Sequence, residues 1–145
     1  MKVDFHSGAA DKLGAACRFL RKANDAGATV VVCGDRSSLD QLDVALWTFD
    51  PMSFVAHVRL RESAALPAGL APTRVWLADS AASVESRELL LNLGPTMVDG
   101  WQGFGRVVEI VSAEPDDARA GRHRWRQYSL QPGLDLVHHP RAIGT

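Results

Sequence analysis

Surplus charge is the first thing this sequence lacks: 16 Lys and Arg stand against 17 Asp and Glu, a formal −1. Proteins that grip nucleic acid unaided draw much of their affinity from neutralised phosphates and carry a basic excess to do it. A near-neutral chain argues against that class, and any contact with DNA is expected to be indirect. Lysine is scarce as well, confined to Lys2, Lys12 and Lys22, so almost every cation is an arginine. Cysteine is limited to Cys17 and Cys33, each in apolar surroundings and without a CxxC spacing. They read as reduced core residues, not as a disulfide or metal framework. No apolar run is long enough for a signal peptide or a membrane span, so a cytoplasmic protein without a membrane partner is expected.

Motifs for chemistry are thin too. The loop CGDRSS (33–38) lies where a doubly wound fold binds phosphate, yet it has one glycine, no GxGxxG and no GKS or GKT. A nucleotide-using α/β enzyme is the alternative that this loop keeps open. Ser53 and His57, with Asp50 upstream, lack the GxSxG elbow of a hydrolase. The His138-His139 pair has no further ligand at metal spacing, and Asp116-Asp117 most simply cap a helix. No catalytic set, cofactor or metal is expected.

What is present is a pattern. Val3 to His6 alternates as a strand, and residues 10–26 place Leu13, Ala16, Cys17, Leu20 and Ala23 at the spacing of an amphipathic helix that Gly27 ends. ATVVVCG (28–34) is a β-branched run suited to a strand covered on both faces. Ser37 or Ser38 can cap a helix through Leu39, Leu42, Leu46 and Trp47, stopped at Pro51. Further strands are expected at 55–60, 74–78, 88–93 and 104–112, with a Pro/Ala/Gly-rich loop at 63–73. A helix over about 116–128 opens with Pro115 and two Asp, and LDLVHH (134–139) is apolar enough to dock. The alternation predicts one domain, residues 1–145, built as a three-layer α/β/α sandwich around a mostly parallel, mixed, Rossmann-like sheet.

Two stretches hold side chains that a core does not obviously need. In LDVALWTFDPMSFVAH (42–57), Leu42, Leu46, Trp47, Phe49, Met52 and Phe54 crowd a helix end and the turn after it. Apolar bulk spent on a loop suits a docking surface. In RAGRHRWRQY (119–128), a helix puts Arg119, Arg122 and Arg126 on one face, with Trp125 at its margin and Tyr128 three further on. One reading is an ordinary solvated helix with aromatics turned inward. The other is a basic pocket with an aromatic wall for an acidic peptide or a terminal carboxylate, which the planar guanidinium fork matches. A nucleic-acid strand could use the same chemistry.

These stretches carry a resemblance. Val3-Asp4-Phe5, the VVVCGD strand, the block from Leu42-Asp43 through Ala45-Leu46-Trp47 to Ser53-Phe54-Val55 and His57, the run Glu88 to Leu93, and Trp125, Arg126 and Tyr128 together resemble the chi subunits of bacterial DNA polymerase III. The resemblance implies a noncatalytic accessory of the clamp-loader assembly. It would pair with the psi subunit and hold the acidic C-terminal tail of single-stranded DNA-binding protein. It assigns Phe54 to the psi-facing surface, with Trp47, Phe49 and Pro51 added to it. Arg122, Trp125 and Arg126 fall to the tail, with Arg119 near another basic position and Tyr128 at a family aromatic. The stretch 134–139 departs from the family's usual C-terminus.

Overall fold

Seven strands run side by side in a computed structural model that describes residues 1–48, 55–60 and 73–140. In chain order the elements are β1 (Lys2–Ala9), α1 (Lys12–Asp25), β2 (Val30–Cys33), α2 (Arg36–Thr48), β3 (His57–Leu60), β4 (Val75–Ala78), β5 (Leu89–Asn92), β6 (Arg106–Ser112), α3 (Pro115–Ser129) and β7 (Asp135–His139). Short 3₁₀ turns at Ala81–Ser83 and Trp101–Gly103 flank β5. The sheet order is β3-β4-β2-β5-β6-β1-β7, and every described pairing is parallel, not mixed.

Burial explains the layering. Strands in a parallel sheet are covered on both faces, so continuous runs such as Val30–Cys33 and Leu89–Asn92 are buried throughout. On one face Val30, Val32, Leu77, Leu91 and Ile110 meet Ala16 and Leu20 of α1 and Leu39, Leu42 and Leu46 of α2. On the other, Val3, Phe5, Val31, Leu90 and Val107 meet Tyr128 of α3 with Trp101 and Phe104. The three-layer α/β/α architecture follows.

Helix ends match their local chemistry. Asp11 caps α1 by accepting the Gly14 backbone N–H at 3.0 Å, and Gly27, at φ +80°, turns the chain out of it. The start of α2 differs from the expected serine cap. Asp35 accepts both the Ser38 N–H (3.2 Å) and the Ser38 hydroxyl (2.7 Å), so the serine serves from inside the first turn. In α3, Pro115 occupies the first turn and Asp117 reaches back to accept the Ser112 N–H at 2.7 Å and Lys12 Nζ at 3.1 Å. Burial alone would raise the Asp117 carboxyl; these donors outweigh it and hold it below the usual carboxylate value.

The first strand is irregular at one point. His6 pairs with Ile110 and Ala9 with Ser112, so Ser7 and Gly8 together oppose Val111 alone. This bulge, with Gly8 at φ +72°, reverses the side-chain alternation. Phe5 faces α3, but Ala9 turns to the α1 side of the core. The strand also continues past the His6 end that alternation alone gave it.

α3 lies close on the sheet at Gly121, where an added Cβ would stand 2.8 and 2.9 Å from the two methyls of Val111. Alanine is favoured over glycine in a helix by about 1 kcal/mol, but overpacking a stiff valine costs about 1–3 kcal/mol. Gly121→Ala is therefore expected to lower stability in urea unfolding. An increase would show that α3 does not rest on Val111.

Candidate functional site

The arginine-rich helix presents two faces with opposite fates. Arg119, Arg122 and Arg126 are exposed, whereas Arg124 is 1% exposed and Tyr128 equally buried. Arg124 donates from Nε to Glu109 Oε1 (3.0 Å) and from Nη1 to the Pro95 carbonyl (2.9 Å). Tyr128 O–H and Asn92 Nδ2 both donate to Glu109 Oε2, at 2.9 and 3.0 Å. Tyr128 is thus an interior residue fixing α3 to β6, not part of an open pocket. Its ring explains why it turns inward: it packs edge-on against Phe5 (5.6 Å between centroids) and Trp101 (4.9 Å).

Trp125 divides the two faces. It is half-buried, with its ring edge-on to Phe5 at 5.3 Å. Beside it, between α3 and the ends of β1, β6 and β7, opens a cleft of about 410 Å³. Phe5, Val111 and Gly121 make its apolar base, and Trp125 and Arg122 its helical wall. Ser7 and His138 supply polar groups from the strand side. Gly121 matters twice here, because any larger residue would fill space beside Val111. Arg126 lies one turn beyond Arg122 and lines no part of the cleft, while Arg119 pairs with Asp116 at 3.4 Å in open solvent. Such an exposed pair contributes little and leaves Arg119 available.

The strand wall is pinned from both sides. Consecutive residues of β7 point to opposite faces. His138 faces α3, where its Nε2 lies 2.6 Å from Ser7 Oγ and its ring meets Trp125 edge-on at 5.9 Å. His139 faces away and contacts Asp4 Oδ1 at 2.9 Å. Adjacent in sequence, the two imidazoles cannot share one metal ion. Asp4, 1% exposed, also accepts from Arg106 Nε at 2.8 Å, with Lys2 at 3.7 Å. Burial would raise its carboxyl; the hydrogen bonds from His139 and Arg106 and the charges of Arg106 and Lys2 hold it below the usual value.

The loop that kept a nucleotide site open faces a different crevice, at the ends of β2, β4 and β5. Asp35, Asp79 and Asp99 line it, with Cys33, Asn92 and Thr96. Asp79 is held by Arg59 at 2.6 Å and Asp35 by the start of α2, so the crevice presents carboxylates, which repel a phosphate. Burial pushes the Cys33 thiol up to about 12 and the Cys17 thiol up to about 11, far from a reactive thiolate. His57 sets each ring nitrogen against an accepting oxygen, Nδ1 2.8 Å from the Val55 carbonyl and Nε2 3.0 Å from Asp43 Oδ1, so the ring is engaged in structural contacts.

In the aromatic block, Leu42 and Leu46 are core, while Trp47 is 59% exposed and lies 5.0 Å from the His57 ring. Phe49, Pro51 and Phe54, with Asp50, Met52 and Ser53, lie outside the described residues. Trp47 stands beside β3, one edge of the sheet, and the cleft opens at β1 and β7, the other edge. At about 4.8 Å per strand the two are about 25 Å apart.

Sequence reasoning missed Glu109, Arg124, the bulge at Ser7–Gly8 and the strand side of the cleft. A lone glutamate inside RVVEIVS was the available signal, since a buried charge demands a partner.

The described arrangement has counterparts among known proteins. A family model described as DNA polymerase III chi subunit, HolC, matches residues 1–135. The DNA polymerase III subunit chi of Pseudomonas aeruginosa is 32% identical over 143 residues, 95% of each chain. The subunit chi of Escherichia coli K12 is 30% identical over 102 residues, 70% of this chain and 66% of that protein. That of Haemophilus influenzae is 26% identical over 117 residues, 80% of this chain and 78% of that one. The matched span takes in β1, the arginine-bearing helix α3 and the aromatic block around Trp47 alike and runs to the start of β7, and the chain belongs to the DNA polymerase III chi subunit family.

Proposed function

We propose that this polymerase III component is an adaptor within the clamp-loader assembly, joining the psi subunit to the acidic C-terminal tail of single-stranded DNA-binding protein. The cleft beside α3 receives the tail. The observation that carries this reading is the pairing of an apolar base (Phe5, Val111, Gly121) with Trp125 and Arg122 on one wall. A peptide that ends in an acidic run and a phenylalanine has the complementary parts. Its ring fits the base, and its carboxylates fall within range of Arg122, then of Arg126 and Arg119 along the exposed helix face.

The magnitudes agree with a weak tether. Burying a phenylalanine contributes about 1.5–3 kcal/mol. One charged hydrogen bond adds about 1.5–3 kcal/mol, and exposed pairs up to about 1 kcal/mol each. Ordering a flexible tail opposes them. The balance corresponds to a Kd on the order of micromolar. The psi contact belongs to the opposite edge, where Trp47 is exposed and Phe49, Pro51 and Phe54 come after it in sequence. Two surfaces so far apart allow both partners to be held at once.

The test is a fluorescence-anisotropy titration with a labelled acidic peptide ending in Phe, repeated at rising salt and in the presence of psi. Binding on the order of micromolar that weakens with salt and survives psi supports the adaptor. Competition between peptide and psi, or tight binding of an oligodeoxynucleotide with none of the peptide, would refute it. Phe54→Ala is expected to abolish capture of psi while leaving the peptide titration unchanged.

A further inference from the structure

Of the five histidines in the chain, one lines the cleft. His138 is exposed on the strand wall, with Nε2 2.6 Å from Ser7 Oγ and its ring edge-on to Trp125 at 5.9 Å. Its Nδ1 has no partner among the described residues. The other four lie elsewhere. His6 and His139 stack on the opposite face of the sheet, 4.4 Å between ring centroids, and burial with the neighbouring His139 charge pushes His6 down to about 4. His57 stands at the β3 edge, and His123 is exposed on α3 but lines no part of the cleft.

The charge around His138 is of one sign. From α3 the cleft receives Arg122 and Trp125, from β1 Ser7 and from β6 Ser112, and of these only Arg122 is charged. In the free protein Arg122 therefore opposes a second cation on this wall, and an arriving acidic segment reverses that balance by favouring the imidazolium. The wall accommodates the charged ring, because its Nε2–H donates to Ser7 Oγ and its Nδ1–H becomes a further donor. Resting on the tail reading above, we infer that peptide binding at this cleft is coupled to protonation of His138. The imidazole takes up a proton as the acidic segment arrives, so the bound state holds it more tightly than the free one. The added affinity is fully present below the range where imidazoles change charge and is lost as pH rises through it. The tether is thereby sensitive to protons, through a residue the tail reading leaves without a role.

Titration of an acidic peptide ending in Phe at pH 5 and pH 8, at constant ionic strength, tests it on the unaltered chain, His138→Gln and His123→Gln. The unaltered chain is expected to bind about fivefold more tightly at pH 5, the equivalent of one exposed charge pair. Isothermal titration between those values, in two buffers of different ionisation enthalpy, should show net proton uptake. His138→Gln stays neutral throughout and can still hydrogen-bond Ser7. It should lose both the pH slope and the uptake, and bind at either pH as the unaltered chain does at pH 8. His123→Gln should keep both. Protonation of the peptide's own carboxylates would weaken binding at low pH, the opposite sign, and cannot imitate the effect. The coupling is overturned if the unaltered chain binds equally at the two pH values, or if His138→Gln keeps the slope. It is overturned also if His123→Gln abolishes the slope, which would move the titrating group to the outer surface of α3. Failure of the unaltered chain to bind the peptide at either pH would instead overturn the tail reading itself, and the coupling with it. Both altered positions are exposed, so the melting transitions of the three proteins should match at each pH.

Discussion

Arg124→Ala is expected to lower the unfolding free energy by about 3–5 kcal/mol, a loss large enough to threaten the folded state of a small domain. The guanidinium is the counter-charge of Glu109, which is fully buried on β6. Without it the carboxyl keeps only Asn92 and Tyr128, both neutral donors. Even in the intact protein, burial raises the Glu109 carboxyl above its usual value, against the pull of the Arg124 charge and the three donors. Removing that charge lets burial act further, so the folded variant holds its proton more tightly than the unfolded chain. A raised folded value means stability is kept below the unfolded pKa and lost as pH rises through the folded one. The deficit should therefore be larger at pH 8 than at pH 5, which urea unfolding at the two pH values can read. Arg124 Nη2 has no partner among the described residues, so the pair is not a perfect one. Glu109→Leu combined with Arg124→Met is expected to recover most of the loss. If Arg124→Ala costs under about 1 kcal/mol, the network does not hold α3 in place.

Trp125→Ala is expected to weaken the acidic Phe-terminated peptide at least about thirtyfold, and Arg122→Ala about tenfold, with stability little changed by the second. Trp125 forms the wall of the cleft and also covers Phe5, so its loss opens the base to water. Arg122 is exposed on the outer face of α3, so its loss should register in binding alone. Salt dependence separates the two. Arg122→Ala should flatten the salt response by removing a charge, whereas Trp125→Ala should leave its slope in place. Isothermal titration with peptide and a melting curve for each variant checks both. Equal loss of binding and of the melting transition would make these residues structural.

The fold was legible where burial is symmetrical. Val30–Cys33, Val75–Ala78 and Leu89–Asn92 are continuous apolar runs because both their faces are covered, and the run alone marks such a strand. The end of α1 was readable through Gly27, but the spacing starts that helix at residue 10, whereas Asp11 caps it from outside; the cap of α2 passed to Asp35 because a carboxylate one turn earlier can take two donors from Ser38. On α3 the spacing located the exposed arginines, but helical periodicity cannot say which cation turns inward. Arg124 does so because Glu109 waits on β6, fifteen residues earlier and on a separate element. Tyr128 turns inward for the same reason. The strand wall of the cleft was invisible for another cause: Ser7 and His138 lie 131 residues apart and meet only through the β1–β7 pairing and a bulge that no local pattern announces.

The adaptor stands or falls with where the peptide sits, and chemical-shift mapping of the labelled protein during titration with the acidic Phe-terminated peptide tests that most directly. The peptide is expected to move the backbone signals of Phe5, Ser7, Val111, Gly121, Arg122 and Trp125 together, and to leave those of Gly34, Asp79 and Thr96 still. Shifts gathered at the latter three, in the separate crevice at the C-terminal ends of β2, β4 and β5, would contradict it.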